Sequence, residues 1–295
     1  MELEEAIARV ENIPTLSTIL GEVLRVTSSD KSSVQDLSRI IYSDQSIATK
    51  ILKMANSAFY GFAHQVSSIE RAIVVLGFNE VRSIAIAMTV FESVYLKKKG
   101  AYYNRLRSWN HSLLCGSGSR ILAERFLAGK HAASELFMGG LIHDVGKVII
   151  DRYFPDEFAQ ILELVEQSAM SCESAEREVL GFDHALLAGN LLRKWAFPSH
   201  LINMVLYHHS PESAESDRKL VASIFLADVM CHQLGYSAYA GEPKQPIRSL
   251  FHSRIMSLME RNGIVLTFKD IISVLRKLKG QVAGIEQFSD ALSLT

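Results

Sequence analysis

Along nearly the whole chain, apolar residues recur at three- and four-residue intervals, the period of helices that bury one face. After Asp44, the residues Ile47, Ile51, Met54, Ala55 and Ala58 share one side of such a helix, and Asp44 is of the type that accepts the free N–H groups of a first turn. Ser67 with Glu70 has the spacing of a capping box and predicts a helix that runs to Leu76 and stops at Gly77. Asn79 is placed to cap a long apolar helix through Tyr95. Further on, Gly181 is suited to end one helix, Asp183 to cap the next, and Pro198 to sit in the first turn of another. Thr267 with Asp270 opens a last amphipathic helix toward Gly280. Strand alternation is lacking, and the short apolar pieces Val148–Ile150 and Ile264–Leu266 come nearest to it. The predicted fold class is all-α.

Two breaks divide the pattern. A charge run, a glycine and two tyrosines over residues 98–106 separate an N-terminal helical bundle, about 6–100, from a second helical part, about 101–235. Residues 236–247 hold one glycine and two prolines and read as a linker, so that 236–295 is expected to be linker and C-terminal helical tail.

The bulk properties narrow the function classes. Hydrophobic residues make up 48% and charged ones 21%, with a net charge of −1, which is ordinary for a globular protein and offers no basic face for nucleic acid. The run Lys97-Lys98-Lys99 is most simply a solvated helix end that complements the macrodipole. Cys115, Cys172 and Cys231 form no CxxC pair, which argues against a disulfide framework or a thiolate zinc site. Met1 runs straight into Glu2, Glu4 and Glu5, unlike a signal peptide, and apolar stretches such as Ile84–Phe91 are too short to span a bilayer. A cytoplasmic protein with no membrane contact is expected.

Against this background seven residues stand out: His111, His143, Asp144, His184, His208, His209 and Asp228. They include five of the ten histidines, each on or at the end of a helical stretch. Imidazole nitrogen with carboxylate oxygen suits first-row transition metals, iron foremost, with manganese, nickel or zinc as alternatives. His143-Asp144 can give one nitrogen and one oxygen to the same ion; Gly146 is expected to let the backbone turn there, and Lys147 to be held near the site as a cation. Asp228 lies between Ala227 and Val229 in an apolar helix, where a carboxylate needs a partner or a metal. Seven donors suffice for two ions with Asp144 as the bridge, an arrangement suited to phosphoryl chemistry. Neutral imidazoles are required for ligation, so affinity should fall as pH drops below about 6.5. His64, His131, His200, His232 and His252 have no matching context.

The N-terminal half also resembles the HDOD domain, a bacterial signalling module related to the HD phosphohydrolase superfamily. Ile13-Pro14-Thr15-Leu16 carries the resemblance, as does Ile41-Tyr42-Ser43-Asp44-Gln45-Ser46-Ile47, with glutamine where the family has proline. So do Leu52-Lys53-Met54-Ala55-Asn56-Ser57-Ala58-Phe59-Tyr60, close to the family's "NSA-x-Y" run, then Ile69–Ile73 and Leu76-Gly77. It covers roughly 6–212 and implies an HD-superfamily helical domain preceded by an N-terminal helical bundle. On the residues themselves, Asn56 and Ser57 are placed to cap carbonyls at a helix end, with Phe59, Tyr60 and Phe62 as an aromatic edge that a partner could use.

Many HDOD domains lack a full ligand set and are regarded as regulatory. Here His111, His143-Asp144, Lys147, His184, His208-His209 and Asp228 resemble, in order, the ligand pattern of HD-GYP phosphodiesterases. Two departures stand against that likeness: His209 is followed by Ser210-Pro211-Glu212-Ser213 instead of the GYP segment, and Arg107 stands one turn before His111, where some family members carry a metal-binding glutamate. The resemblance implies a regulatory signal-transduction protein with a dinuclear metal site, whose partner is a signalling protein or a nucleotide. The alternative is a metal-dependent phosphohydrolase acting on a nucleotide or cyclic dinucleotide, with Asp144 and Lys147 as its catalytic residues.

Overall fold

The computed structural model describes residues 1–11, 18–27, 32–92, 104–127, 130–168, 170–239 and 254–292. Ile13–Leu16, Tyr95, Lys97–Lys99, His252, the side chain of His131 and the candidate linker from 240 onward lie outside these. Among the described residues every regular element is helical, so the fold is all-α, and no helix is long and apolar enough to cross a membrane.

The chain forms two compact units, one of residues 13–97 with 281–295 and the other of 1–12 with 98–280. In the first unit α2 (Thr18–Thr27), α3 (Val34–Tyr42), α4 (Gln45–Ala55) and α5 (Ile69–Leu76) surround α6 (Phe78–Phe91), which is buried over most of its length. Local capping explains where these helices begin. Ser33 and Asp36 cap α3 reciprocally, and the Asp44 carboxylate accepts from the N–H groups of Ser46 and Ile47 at 2.8 and 3.1 Å. The cap of α5 is Ser68, not Ser67: its hydroxyl accepts from Arg71 N–H at 3.1 Å, three residues on, as the geometry requires. Nor does Asn79 cap α6. Gly77, at φ 98°, turns the chain so sharply that Asn79 already lies in the first turn.

The Asn56-Ser57 segment has a structural role. Asn56 donates from Nδ2 to the carbonyls of Leu52 and Val66, both at 2.8 Å, and its Oδ1 accepts from Val66 N–H at 2.7 Å. One amide thus ties the end of α4 to a loop ten residues on, while Ser57 Oγ caps Met54 O. The aromatic edge is thinner than the sequence suggests: Phe59 is buried against the Tyr60 ring, and Tyr60 donates to Glu80, leaving Phe62 as the exposed member. Asn56→Ala is expected to cost about 2 kcal/mol, because Val66 loses both backbone partners. Urea denaturation would register the loss; an unchanged midpoint would show that water replaces the amide.

In the second unit the order is α1 (Leu3–Glu11), α7 (Arg105–Phe126), α8 (Lys130–Ile142), α9 (Val145–Tyr153), α10 (Pro155–Ser168), α11 (Cys172–Leu180), α12 (His184–Lys194), α13 (Ser199–Leu206), α14 (Arg218–Gln233) and α15 (Arg254–Arg261). The last helix, α16 (Phe268–Ala291), starts in this unit behind the Thr267–Asp270 capping box and continues past Gly280 into residues counted with the first. Val148–Ile150 is part of α9 and Ile264–Leu266 is irregular, so neither is a strand. At the centre, α7 packs on α8 and α14. Small residues permit the approach: a Cβ on Gly140 would stand 2.5 Å from Gly116 Cα.

Candidate metal centre

Three breaks and two helix bodies in the second unit deliver the seven polar residues to one place. His143-Asp144 is the whole connection between α8 and α9. His184 opens α12 behind Asp183, whose carboxylate accepts from Leu186 N–H at 2.7 Å. Just before it, α11 ends at Gly181 in the left-handed region, φ 90°. His208 and His209 follow the end of α13, where Pro211 starts a 3-10 turn. His111 and Asp228 come from the bodies of α7 and α14.

The donors form two groups on either side of one carboxylate. Asp144 Oδ1 faces His184 Nε2 at 3.1 Å and His208 Nε2 at 3.6 Å, and His209 Nε2 lies 3.0 Å from His184 Nε2. Asp144 Oδ2 faces His111 Nε2 at 3.3 Å and His143 Nε2 at 3.6 Å, and Asp228 Oδ1 stands 3.2 Å from His111 Nε2. The two sets, Asp144 with His184, His208 and His209, and His111 with His143 and Asp228, each place their donor atoms within 4.8 Å of one another.

What lies behind the rings fixes which nitrogen faces in. Nδ1 of His111, His143 and His208 meets the carbonyls of Tyr236, Gly140 and Val205 at 3.1, 2.8 and 2.7 Å, and Nδ1 of His184 meets Glu176 Oε2 at 2.6 Å. Those acceptors claim the Nδ1 protons, so bare Nε2 lone pairs point at each other across 3.3 Å, both in the His111–His143 pair and in the His184–His208 pair. Lone pair against lone pair is repulsive unless a cation lies between them. Asp144 Oδ1 and Asp228 Oδ1, buried without a hydrogen-bond donor, add two more acceptors to the same space. The residues therefore fit a transition-metal site of nitrogen and oxygen donors.

Without an ion, protons must do the neutralising. Burial would depress His111, but the carboxylates of Asp144 and Asp228 outweigh it and hold the imidazole well above its ordinary 6.5. Burial opposes charge on His184 too, yet chiefly Glu176 pushes it up to about 10. Asp144, despite burial, is held well below the carboxylate range by the Lys147 ammonium and the histidines, and Asp228 likewise by His232 and His111. His209 goes the other way, kept neutral by burial and by the charge on its neighbours.

The signs give a pH window. In metal-free protein the raised histidines add stability that is complete below about 6.5 and is lost as pH rises through their folded values, about 10 for His184. The depressed aspartates add stability that is present above 3.8 and is lost as pH falls through their folded values. Chelator-treated protein should accordingly lose Tm between pH 7 and 10, and metal-loaded protein should not, because the ion stands where the protons stood. Parallel melting curves for the two samples would contradict this.

Not every polar residue has the place its sequence context suggests. Gly146 lies inside α9 and makes no turn; its missing side chain lets the His184 backbone come against α9. Lys147 is almost fully buried, donates to Asp144 Oδ2 at 2.9 Å and lies over the Tyr239 ring. Arg107 is engaged by Ser237, donating from Nε to its carbonyl and from Nη2 to its hydroxyl. Two residues join the site unannounced. His232 stands one turn after Asp228 on α14, its Nε2 3.4 Å from Asp228 Oδ1, an i,i+4 pairing that the sequence did contain. Glu176 comes from α11, and no spacing pointed to it. His200 pairs instead with Glu135, and His64 is exposed.

Comparison with known proteins places this architecture. Residues 13–211 match the family model of the HDOD domain. The chain belongs to the HDOD family. An HDOD domain protein of unknown function from Geobacter sulfurreducens is similar over 99% of both chains, with a TM-score of 0.81 and 23% identity. A Shewanella amazonensis SB2B protein described as a candidate phosphohydrolase matches with a TM-score of 0.76 and 24% identity, over 97% of this chain and 98% of its own. At these identities the likeness establishes the shared fold. An uncharacterized protein of Treponema pallidum (strain Nichols) is 22% identical over 242 residues, which are 80% of this chain and 45% of that protein. The HDOD chain thus spans less than half the length of this curated relative.

Proposed function

We propose that this HDOD protein is a regulatory signal-transduction protein built on a dinuclear metal centre. His111, His143 and Asp228 would hold one ion, His184, His208 and His209 the other, and Asp144 would bridge them. The supporting observation is the pairing of the Asp144 oxygens: Oδ1 addresses one group of imidazoles and Oδ2 the other, with the histidine lone pairs turned inward. Iron is the first candidate, ahead of manganese, nickel and zinc, since imidazole and carboxylate donors accept all four. Cytoplasmic location and a signalling protein or nucleotide as the partner belong to the same proposal, which includes no role for nucleic acid or membrane.

A regulatory role is favoured over turnover by how deeply the donors lie. His111, His143, Asp144 and His184 are fully buried and His208 nearly so, while Asp228 is 13% exposed and His209 partly exposed. Lys147 is held by Asp144, where it fixes the bridging carboxylate. Bound ions would supply Lewis-acid polarisation of a phosphoryl oxygen and activation of a water. That chemistry, with the complete donor set, supports the second reading, a phosphohydrolase acting on a nucleotide or cyclic dinucleotide.

Elemental analysis and a diester hydrolysis screen on one preparation separate the two. Two ions per chain with turnover far below about 1 s⁻¹ is the expected result. Turnover at or above that rate would replace regulation by catalysis, and absence of stoichiometric metal after gentle purification would remove the centre itself.

A further inference from the structure

We infer that Glu176 makes the three-histidine half of the centre the tighter half, the one that fills first. The inference rests on the dinuclear reading above and concerns what stands behind its ligands. His111, His143 and His208 lean on backbone carbonyls, neutral acceptors, whereas His184 leans on a carboxylate. A charged acceptor draws the Nδ1 proton away from the ring and makes Nε2 a stronger donor to a cation, and losing such a partner typically lowers metal affinity about 10–100-fold.

Glu176 is built for that task. It is wholly buried, and its hydrogen bonds use it as an acceptor. Oε2 accepts from the His184 backbone N–H at 2.7 Å and from Nδ1 at 2.6 Å, and Oε1 accepts from the Cys172 thiol at 3.3 Å. Three donors and no acceptor are the partners of an ionised carboxylate. Cys172, Glu176 and His184 are close enough to be a ligand triple in their own right. Their protons assign them otherwise, as a chain running from thiol to carboxylate to imidazole, with Nε2 directed at Asp144 Oδ1 3.1 Å away.

The opposite half has two features that weaken it. Asp144 Oδ2, its share of the bridge, already accepts from Lys147 at 2.9 Å. Asp228, its remaining carboxylate, shares Oδ1 with His232 Nε2, 3.4 Å away, which competes for that oxygen.

Cobalt(II) titration of the full metal-stripped chain, followed by calorimetry and visible absorption, tests the assignment. Wild type should bind in two steps. Asp228→Ala should lose the weaker step and keep the tighter. Glu176→Gln retains volume and a carbonyl oxygen able to accept both His184 bonds, so a space-filling or purely capping role would leave the titration unchanged. Loss of charge alone should weaken the tighter step about 10–100-fold, shift its absorption, and leave the weaker step in place. An unaltered tight step in Glu176→Gln, an equal loss of both steps, or loss of the tight step in Asp228→Ala would overturn the inference. Wild-type protein that binds no cobalt would overturn the metal reading itself, a result distinct from each of these.

Discussion

Replacing Asp144 by alanine is expected to empty at least one half of the proposed metal centre and, separately, to destabilise the metal-free fold by about 3–5 kcal/mol. The first effect follows from the proposed bridge. Among the described residues, no other side chain presents one oxygen to His184 and His208, at 3.1 and 3.6 Å, and a second to His111 and His143, at 3.3 and 3.6 Å. The second follows from Lys147, which is 2% exposed and donates to Asp144 Oδ2 at 2.9 Å. Removing one partner of a buried ion pair costs about 3–5 kcal/mol, a large share of the 5–15 kcal/mol that holds a typical domain together. The two effects separate in a double variant. Asp144→Ala with Lys147→Met removes the ammonium as well, so it should recover most of the metal-free stability while remaining deficient in metal. Urea denaturation of chelator-treated samples and metal analysis of untreated ones give the two readouts. An Asp144→Ala protein with its full complement of metal would refute the bridge, and a double variant no more stable than the single one would refute the account of Lys147.

How far the sequence announces this molecule depends on the range of the interaction concerned. Caps such as Asp44, Asp183 and the Thr267–Asp270 box are legible because the bond they make closes within three residues. The same rule misplaces the start of α5 by one residue, since Ser67 and Ser68 are chemically alike and only the backbone geometry at Ser68 chooses between them. It fails at Asn79, where Gly77's positive φ starts α6 without a side-chain cap. Val148–Ile150 looks like a strand because buried β-branched residues show no period when every face is covered. The seven candidate ligands were visible as residue types that apolar helices rarely hold. Glu176 was not: its contact with His184 depends on the α11–α12 turn at Gly181, and an acid in an acidic helix looks like solvated surface. His232 escapes for a different reason: its i,i+4 spacing from Asp228 is present in the sequence, but no surrounding pattern marks it as belonging to the site.

Gly146 supplies the other large expected effect, and it concerns approach, not chemistry. An alanine Cβ there would stand 2.8 Å from the carbonyl carbon of His184 and 3.0 Å from its Cα, with the carbonyl oxygen closer still. All three are backbone atoms, so no rotamer change relieves the clash, and α9 must separate from the start of α12 to restore ordinary carbon–carbon contact near 3.5–4.0 Å. Helix propensity alone would make Gly→Ala favourable by about 1 kcal/mol in an exposed helix interior, and overpacking costs about 1–3 kcal/mol. Because the clash is with main chain, the upper end of that range should win, and Gly146→Ala should be destabilised by about 2 kcal/mol net. The displacement also separates ligands: Asp144 lies two residues before Gly146, and His184 Nε2 is 3.1 Å from Asp144 Oδ1. Metal affinity in the three-histidine half should therefore fall more steeply than in the other. Gly280→Ala is the control, since it lies in α16 with nothing within 4 Å of the added Cβ, and it should gain up to about 1 kcal/mol by propensity. If Gly146→Ala instead gained stability as Gly280→Ala does, the close passage of α9 over His184 would be wrong, and with it the geometry that brings His184 to the bridging carboxylate.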